Sequence, residues 1–249
     1  MSAPVFLVDD GRLDDGDRVV LDGPEGRHAA TVRRLGPGER VLLSDGRGLV
    51  ADCRVLAAGR DHLELEVCGR SLIPAPQPRL VVVQALPKGD RGELAVETMT
   101  EVGVDVVVPW AAARCITRWR ADRADKALAR WRSAAREAAK QARRPHVPEV
   151  TAVAGTDQVA ARLRSAALGV VLHEEADLPL AALDVPRSGD VVVVVGPEGG
   201  VSPAELEEFD RAGATAYRLG PTVLRTSTAG VAALSVLSAL SGRWDAPGQ

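Results

Sequence analysis

Three segments in the C-terminal half place ionisable side chains, two of them with glycines, where an apolar run stops. They read VVLHEE at 170–175, VVVVVGPEGGVSPAE at 191–205 and LGPTVLRTSTAG at 219–230. In the second, Ser202 suits a helix N-cap, Pro203 the first helical position and Glu205 the third, which together form a capping box. The GPEGG loop is therefore pinned between a buried strand and a capped helix, the usual ligand position at the carboxyl edge of a parallel sheet. It is not a phosphate cradle, because no GK[ST] and no GxGxxG follows a strand and Glu198 adds a negative charge. The glycines then serve either as tight turns or as openings through which backbone groups approach an uncharged ring and ribose. Candidate pocket residues are Leu172 and His173; Gly196, Pro197, Glu198, Gly199 and Gly200; and Leu219, Gly220, Val223, Leu224, Arg225 and Thr226.

The surrounding pattern supplies the elements that must position them. From residue 79 onward, apolar strands (RLVVVQALP, DVVVPW, LGVVL, GDVVVVV, ATAYRLG) alternate with helical patterns (RGELAVETMTEVGV, RADKALARWRSAAREAAKQARR, SPAELEEFDRAG, TAGVAALSVLSALS). That alternation predicts a mainly parallel α/β sheet. Residues 1–70 instead show short apolar runs punctuated by Asp-Gly and Gly, which predicts hairpins in a small β-barrel. Between the two lie Pro74, Pro76 and Pro78, a stiff linker, and the expected division is 1–73 and 74–249.

Composition narrows the function classes. With 46% hydrophobic and 26% charged residues in 249, the chain reads as a soluble globular protein. Its net charge of −3 excludes a globally basic coat for nucleic acid. Cys53, Cys68 and Cys115 show no CxxC pairing, which predicts buried free thiols and no zinc site or other metal. No signal-peptide pattern opens the sequence and no apolar run reaches membrane-spanning length, so a cytoplasmic location is expected.

In order and spacing, LHEE, VGPEGGVSPAE and RLGPTVLRTSTA resemble the cofactor motifs of the RsmE family, 16S ribosomal RNA uracil N3-methyltransferases of the SPOUT superfamily. RHAATVRRL (27–35), ALPKGDRGELAVETMTEVGVDVVVP with Lys88, Glu101 and Gly103, and REAAKQARRPHVPEV with Glu137, Gln141, Arg144 and Pro148 extend the resemblance over nearly the whole chain. The resemblance implies a trefoil-knotted SPOUT domain that binds S-adenosyl-L-methionine, a PUA-like barrel that binds RNA, and a homodimer. The substrate it implies is a uridine of 16S rRNA in the small ribosomal subunit. Where the family commonly has Glu before Thr-Ala, this chain has Ser227, so an essential acid–base role does not carry over to that position.

Charge distribution independently points to RNA. Between Trp110 and Pro145 stand eleven basic residues and three acidic ones. On a helix, Arg132, Arg136, Lys140 and Arg143 fall at i, i+4, i+8 and i+11, opposite an apolar stripe of Leu128, Trp131, Ala135 and Ala138. Such a stripe suits phosphate neutralisation. Arg27, His28, Arg33 and Arg34 make a second cluster, and Lys88 and Arg144 join the candidate RNA contacts.

For methyl transfer to uracil N3, a sulfonium-borne methyl needs no metal. The protein must align the groups and accommodate the loss of one proton. Arg225 is the candidate to stabilise charge on the uracil oxygens. Glu198 is a candidate base or a loop anchor, and His173 a candidate proton group or a pocket wall. The competing readings are a non-catalytic ribosome assembly factor with a degenerate pocket and an α/β transferase using a nucleotide cofactor. The intact glycine loops argue against the first and the absent phosphate motifs against the second.

Overall fold

In the computed structural model of the chain, residues 3–8, 11–119 and 121–245 are described, residues 121–123 by backbone alone. Arg120 and the side chains of Asp122 and Arg123, which the charge count included, therefore lie outside the described set. Two compact units emerge. One holds the chain up to Ala75 together with Ala139–Val147, and the other holds Pro76–Ala138 and the chain from Pro148 onward.

The first unit is a five-stranded sheet built from β1 (Val5–Leu7), β2 (Arg18–Leu21), β3 (Arg40–Ser44), β4 (Leu49–Ala58) and β5 (Leu63–Leu72), in the order β1-β3-β4-β5-β2. The apolar runs predicted as strands are the strands. Their alternation sends Val41, Leu43, Cys53, Val55, Leu63 and Leu65 to one buried face. The segment between β2 and β3 is helical, with a short α1 (Gly23–Arg27) followed by a π-turn over His28–Val32. Residues 139–147 complete this unit. Gly48 N donates to Pro145 O at 3.0 Å, Val147 N donates to Gly46 O at 2.9 Å, and His146 Nε2 meets Ile73 O at 2.9 Å.

Six strands make the second sheet: β6 (Arg79–Ala85), β7 (Val106–Trp110), β8 (Glu149–Val150), β9 (Leu168–Leu172), β10 (Asp190–Val195) and β11 (Ala214–Tyr217). Their order is β11-β9-β10-β6-β7-β8 and every pairing is parallel. Residues 80–83 and 191–194, apolar throughout, are fully buried because helices cover both faces of such a sheet. The helices are α2 (Arg91–Glu101), α3 (Ala121–Gln141), α4 (Thr156–Ser165), α5 (Pro203–Arg211) and α6 (Thr226–Ser241). Gly92 of α2 lies against Trp131 of α3, where an added Cβ would come within 2.6 Å of the indole. α6 carries apolar residues all round and is largely buried, ending at Gly242 in the left-handed region (φ 75°).

Two expectations are corrected here. Trp131, Ala135 and Ala138 form the buried stripe of α3 as expected, but Lys140 does not stand on an opposing solvent stripe. Its side chain is 7% exposed and its Nζ lies 2.6 Å from Glu25 Oε1, because the last turn of α3 is enclosed within the first unit. Arg143 is past the helix end, at φ 54°, so the i+11 spacing does not apply to it. Cys53 and Cys115 are buried but Cys68 is exposed. Burial raises the Cys53 thiol to about 12 and also pushes the Cys115 thiol up, so neither is a ready nucleophile.

Candidate active site

Sheet order brings the candidate loops together. β9, β10 and β11 are neighbours, and the register pairs Tyr217 with Leu172 and Val194 with Val171. Because all three strands run the same way, their carboxyl ends open on one edge. There the loops enclose a cavity of about 310 Å³, the size of a small-molecule pocket. Leu172 and His173 line it after β9. Gly196, Pro197, Glu198 and Gly200 line it after β10. Leu219, Gly220, Val223, Leu224, Arg225 and Thr226 close it from the segment before α6.

Gly199 does not line the cavity. Its Cα faces the loop after β7, where a Cβ would meet Arg114 Cβ at 3.2 Å, and Arg114 donates to Gly199 O at 3.2 Å. The other two glycines meet different demands. A Cβ on Gly196 would come within 2.9 Å of Val201 Cγ2, and Gly200 stands at φ 73°.

Hydrogen bonds fix the loops from behind. The capping box on α5 is present: Ser202 and Glu205 bond reciprocally. Glu205 is 4% exposed and does more than cap, because its Oε1 accepts from Ala113 N at 2.8 Å and Thr156 Oγ1 at 3.3 Å. Burial pushes its carboxyl up, but the bonds from Ala113, Ser202 and Thr156 outweigh that, leaving it below the ordinary glutamate value. Arg218 donates to Ala176 O and Asp177 O at 3.0 and 2.9 Å, holding the loop after β9. Thr226 Oγ1 donates to Gly196 O at 3.1 Å, and Gln84 Nε2 of β6 donates to Thr226 O at 3.3 Å, which ties the start of α6 to two strand ends.

The candidate chemical groups differ in freedom. Arg225 is the N-cap residue of α6, exposed, and without a side-chain partner among the described residues. His173 Nδ1 accepts from Glu175 N at 3.2 Å, so that nitrogen is engaged in closing its own turn. Glu198 Oε1 accepts from Lys88 N at 3.1 Å and lies 4.0 Å from Arg91 Nη1. Glu198 is thus anchored to the loop after β6. Ser227 is buried at 4% exposure and is not presented to the cavity. Glu174, in the VVLHEE segment, and Thr222, in LGPTVLRTSTAG, line the cavity too, and so does Arg91, which no sequence signal marks. Arg91 lies about a hundred positions before the GPEGG loop, and only its place after β6, the neighbour of β10, brings it there.

The basic candidates are spread out. Arg27, Arg33 and Arg34 are exposed in the first unit and His28 is half-buried, its ring edge-to-face with Phe6 at 6.0 Å. Arg132 is exposed although its Nε donates to Val150 O at 3.1 Å. Arg136 and Arg144 are half-buried, and Arg143 and Lys88 are exposed.

A parallel sheet with loops gathered on one carboxyl edge is the architecture of a small-molecule-binding α/β domain, and the family models make the class an RNA methyltransferase. Residues 74–238 match the RNA methyltransferase domain family and residues 21–68 match the RNA methyltransferase PUA domain. The chain belongs to the ribosomal RNA small subunit methyltransferase E family: it is 48% identical to that protein of Mycobacterium tuberculosis over 99% of this chain and 95% of the relative. Among solved structures, a methyltransferase of Legionella pneumophila in complex with bound SAM superposes with TM-score 0.84 at 26% identity, covering 96% of this chain and 98% of that one. The Neisseria gonorrhoeae ribosomal RNA small subunit methyltransferase E bound to S-adenosyl methionine gives TM-score 0.82 at 27% identity, with 96% and 98% covered.

Proposed function

We propose that the chain is an S-adenosyl-L-methionine-dependent methyltransferase that methylates N3 of a uridine in 16S rRNA of the small ribosomal subunit. The observation that carries this is the convergence of the three strand-end loops, two of them glycine-bearing, on one cavity in a chain that matches a member of that family over 95% of that member's length.

The cavity suits the cofactor. Its lining combines apolar side chains, Leu172, Val201, Leu219 and Val223, with Gly196, Gly200 and Gly220, which fits an adenine ring and ribose, and adds charged groups such as Arg91 and Arg225. When bound, the cofactor supplies a methyl group already activated on a sulfonium. The protein's part is to hold the nucleoside with the loops after β9 and β10, exclude water with 219–224, and place Arg225 against the acceptor base. The guanidinium then meets the charge that develops as N3 loses its proton.

On this reading the second unit, with the linker from residue 74, is the cofactor-binding and dimer-forming domain, the first docks RNA through Arg27, Arg33 and Arg34, and the enzyme acts in the cytoplasm as a homodimer. Calorimetric titration with S-adenosylmethionine, NAD and ATP tests the cofactor. Mass spectrometry of small-subunit rRNA from a deletion strain, before and after treatment with the purified protein, tests the product. Tight NAD binding with none for S-adenosylmethionine would overturn the reading.

A further inference from the structure

The ionisable side chains around the cavity divide by side. Among those that line it, Glu174 follows β9 and Arg218 follows β11, while Arg91 follows β6, two strands from β9 and hence about 10 Å across the sheet edge. Arg225 precedes Thr226, which is tied both to Gly196 after β10 and to Gln84 of β6, so Arg225 too stands on the β10–β6 side, away from β9. Two guanidiniums therefore share one side of the cavity. Arg91 opens α2, its side chain is 43% exposed, and its only ion pair among the described residues is the 4.0 Å approach to Glu198. Glu198 is held on the same oxygen by Lys88 N. That oxygen is therefore already engaged, by an amide and beside a guanidinium, an arrangement that suits an anchor for Arg91.

The geometry points to Arg91 as a second catalytic cation for the acceptor base, with Glu198 as its positioning residue and not the general base. This rests on the uracil N3 reading above. The step is balanced without a protein base. The N3 proton passes to solvent water, and the charge left behind spreads over N3, O2 and O4, where guanidinium donors stabilise it. N3 then bonds to the methyl carbon as the carbon–sulfur bond breaks and its electron pair returns to sulfur. The uracil that binds is neutral, so both arginines hold the anionic base and the transition state derived from it more tightly than the bound substrate, which is the condition for accelerating the overall reaction.

The test compares Arg91→Ala, Arg91→Lys and Glu198→Gln in single-turnover methylation of undermethylated small subunits from pH 6.5 to 9.5, with S-adenosylmethionine affinity measured by calorimetry. Arg91→Ala is expected to lose about 100-fold in rate at neutral pH. The deficit should narrow as pH rises and solution conditions favour the anion, while cofactor affinity stays within about twofold. Arg91→Lys should recover part of the rate, and Glu198→Gln should keep a measurable rate with an unmoved pH profile. A matching loss of cofactor affinity in Arg91→Ala, with an unmoved profile, would assign Arg91 to the cofactor and overturn the proposal. Abolition of turnover at every pH in Glu198→Gln would make Glu198 the base and overturn it too. Absence of N3-methyluridine from the wild-type product would instead sink the underlying reading, and mass spectrometry of the product separates that case.

Discussion

Arg225 and Ser227 stand two residues apart at the start of α6 yet face different surroundings: the first is exposed at the cavity and the second is buried. Arg225→Ala should lower methyl transfer by about 100-fold or more, the loss typical of one transition-state donor, with cofactor affinity little changed. Ser227→Ala should keep most of the activity, because a neutral buried hydroxyl does not take a proton at pH 7. Single-turnover assays of both variants separate them, and equal small losses would mean the reacting centre lies elsewhere. Gly196→Ala acts on binding instead. The new methyl group would press within 2.9 Å of Val201, so the loop must shift and calorimetry should show weaker cofactor binding at nearly unchanged thermal stability.

The helix α5 and its loop depend on Glu205, which joins the capping box to the segment after β7 through Ala113. Glu205→Gln removes a charged acceptor from several donors and should destabilise the protein by about 1–3 kcal/mol at pH 7. The sign of the pH effect follows from the lowered carboxyl. Its stabilisation is complete above the unfolded glutamate value of about 4.3 and is lost as pH falls through the lower folded value. Denaturant titrations between pH 3 and 7 should therefore show a shallower acid loss in Glu205→Gln than in wild type. A parallel pair of curves would remove Glu205 from the acid response. The cap was legible in the sequence because Ser-x-x-Glu is a local pattern. The bond to Ala113, ninety-two residues away, was not.

For the whole molecule the decisive segment is Ala139–Val147, which belongs with the chain up to Ala75. A fragment ending at Ala75 lacks the partners that Gly46, Gly48 and Ile73 find in 145–147 and leaves Glu25 without Lys140. It should resist proteolysis less than the same residues in the full chain, and adding a peptide of residues 136–150 should restore part of the protection. In the full chain, Lys140→Ala strands a nearly buried carboxylate and should cost about 3–5 kcal/mol, whereas Lys140→Met combined with Glu25→Gln should recover much of it. Urea midpoints of the three proteins measure this. If Lys140→Ala were as stable as wild type but bound rRNA more weakly, Lys140 would be a phosphate contact after all.

What the sequence determined by itself is what repeats locally. Five valines in a row, alternating apolar runs and Asp-Gly turns report strand type, because burial on one or two faces sets the side-chain period. The Gly-Pro interruptions after strands marked the loops that line the cavity, and their motifs carried the family resemblance. Other features are too short or too faintly patterned to stand out: β8 has two residues, and α4 (Thr156–Ser165) carries only a weak apolar stripe of Val159, Ala160 and Leu163. Tertiary structure alone decided which loops meet. The order β9-β10-β6 sets Arg91 beside Glu198, the loop after β7 meets Gly199 through Arg114, and the enclosure of residues 139–147 in the first unit takes Lys140 out of the basic stripe. The reason is physical: strand order and the fate of a helix end are set by burying whole faces against distant segments, and no local spacing encodes the partner.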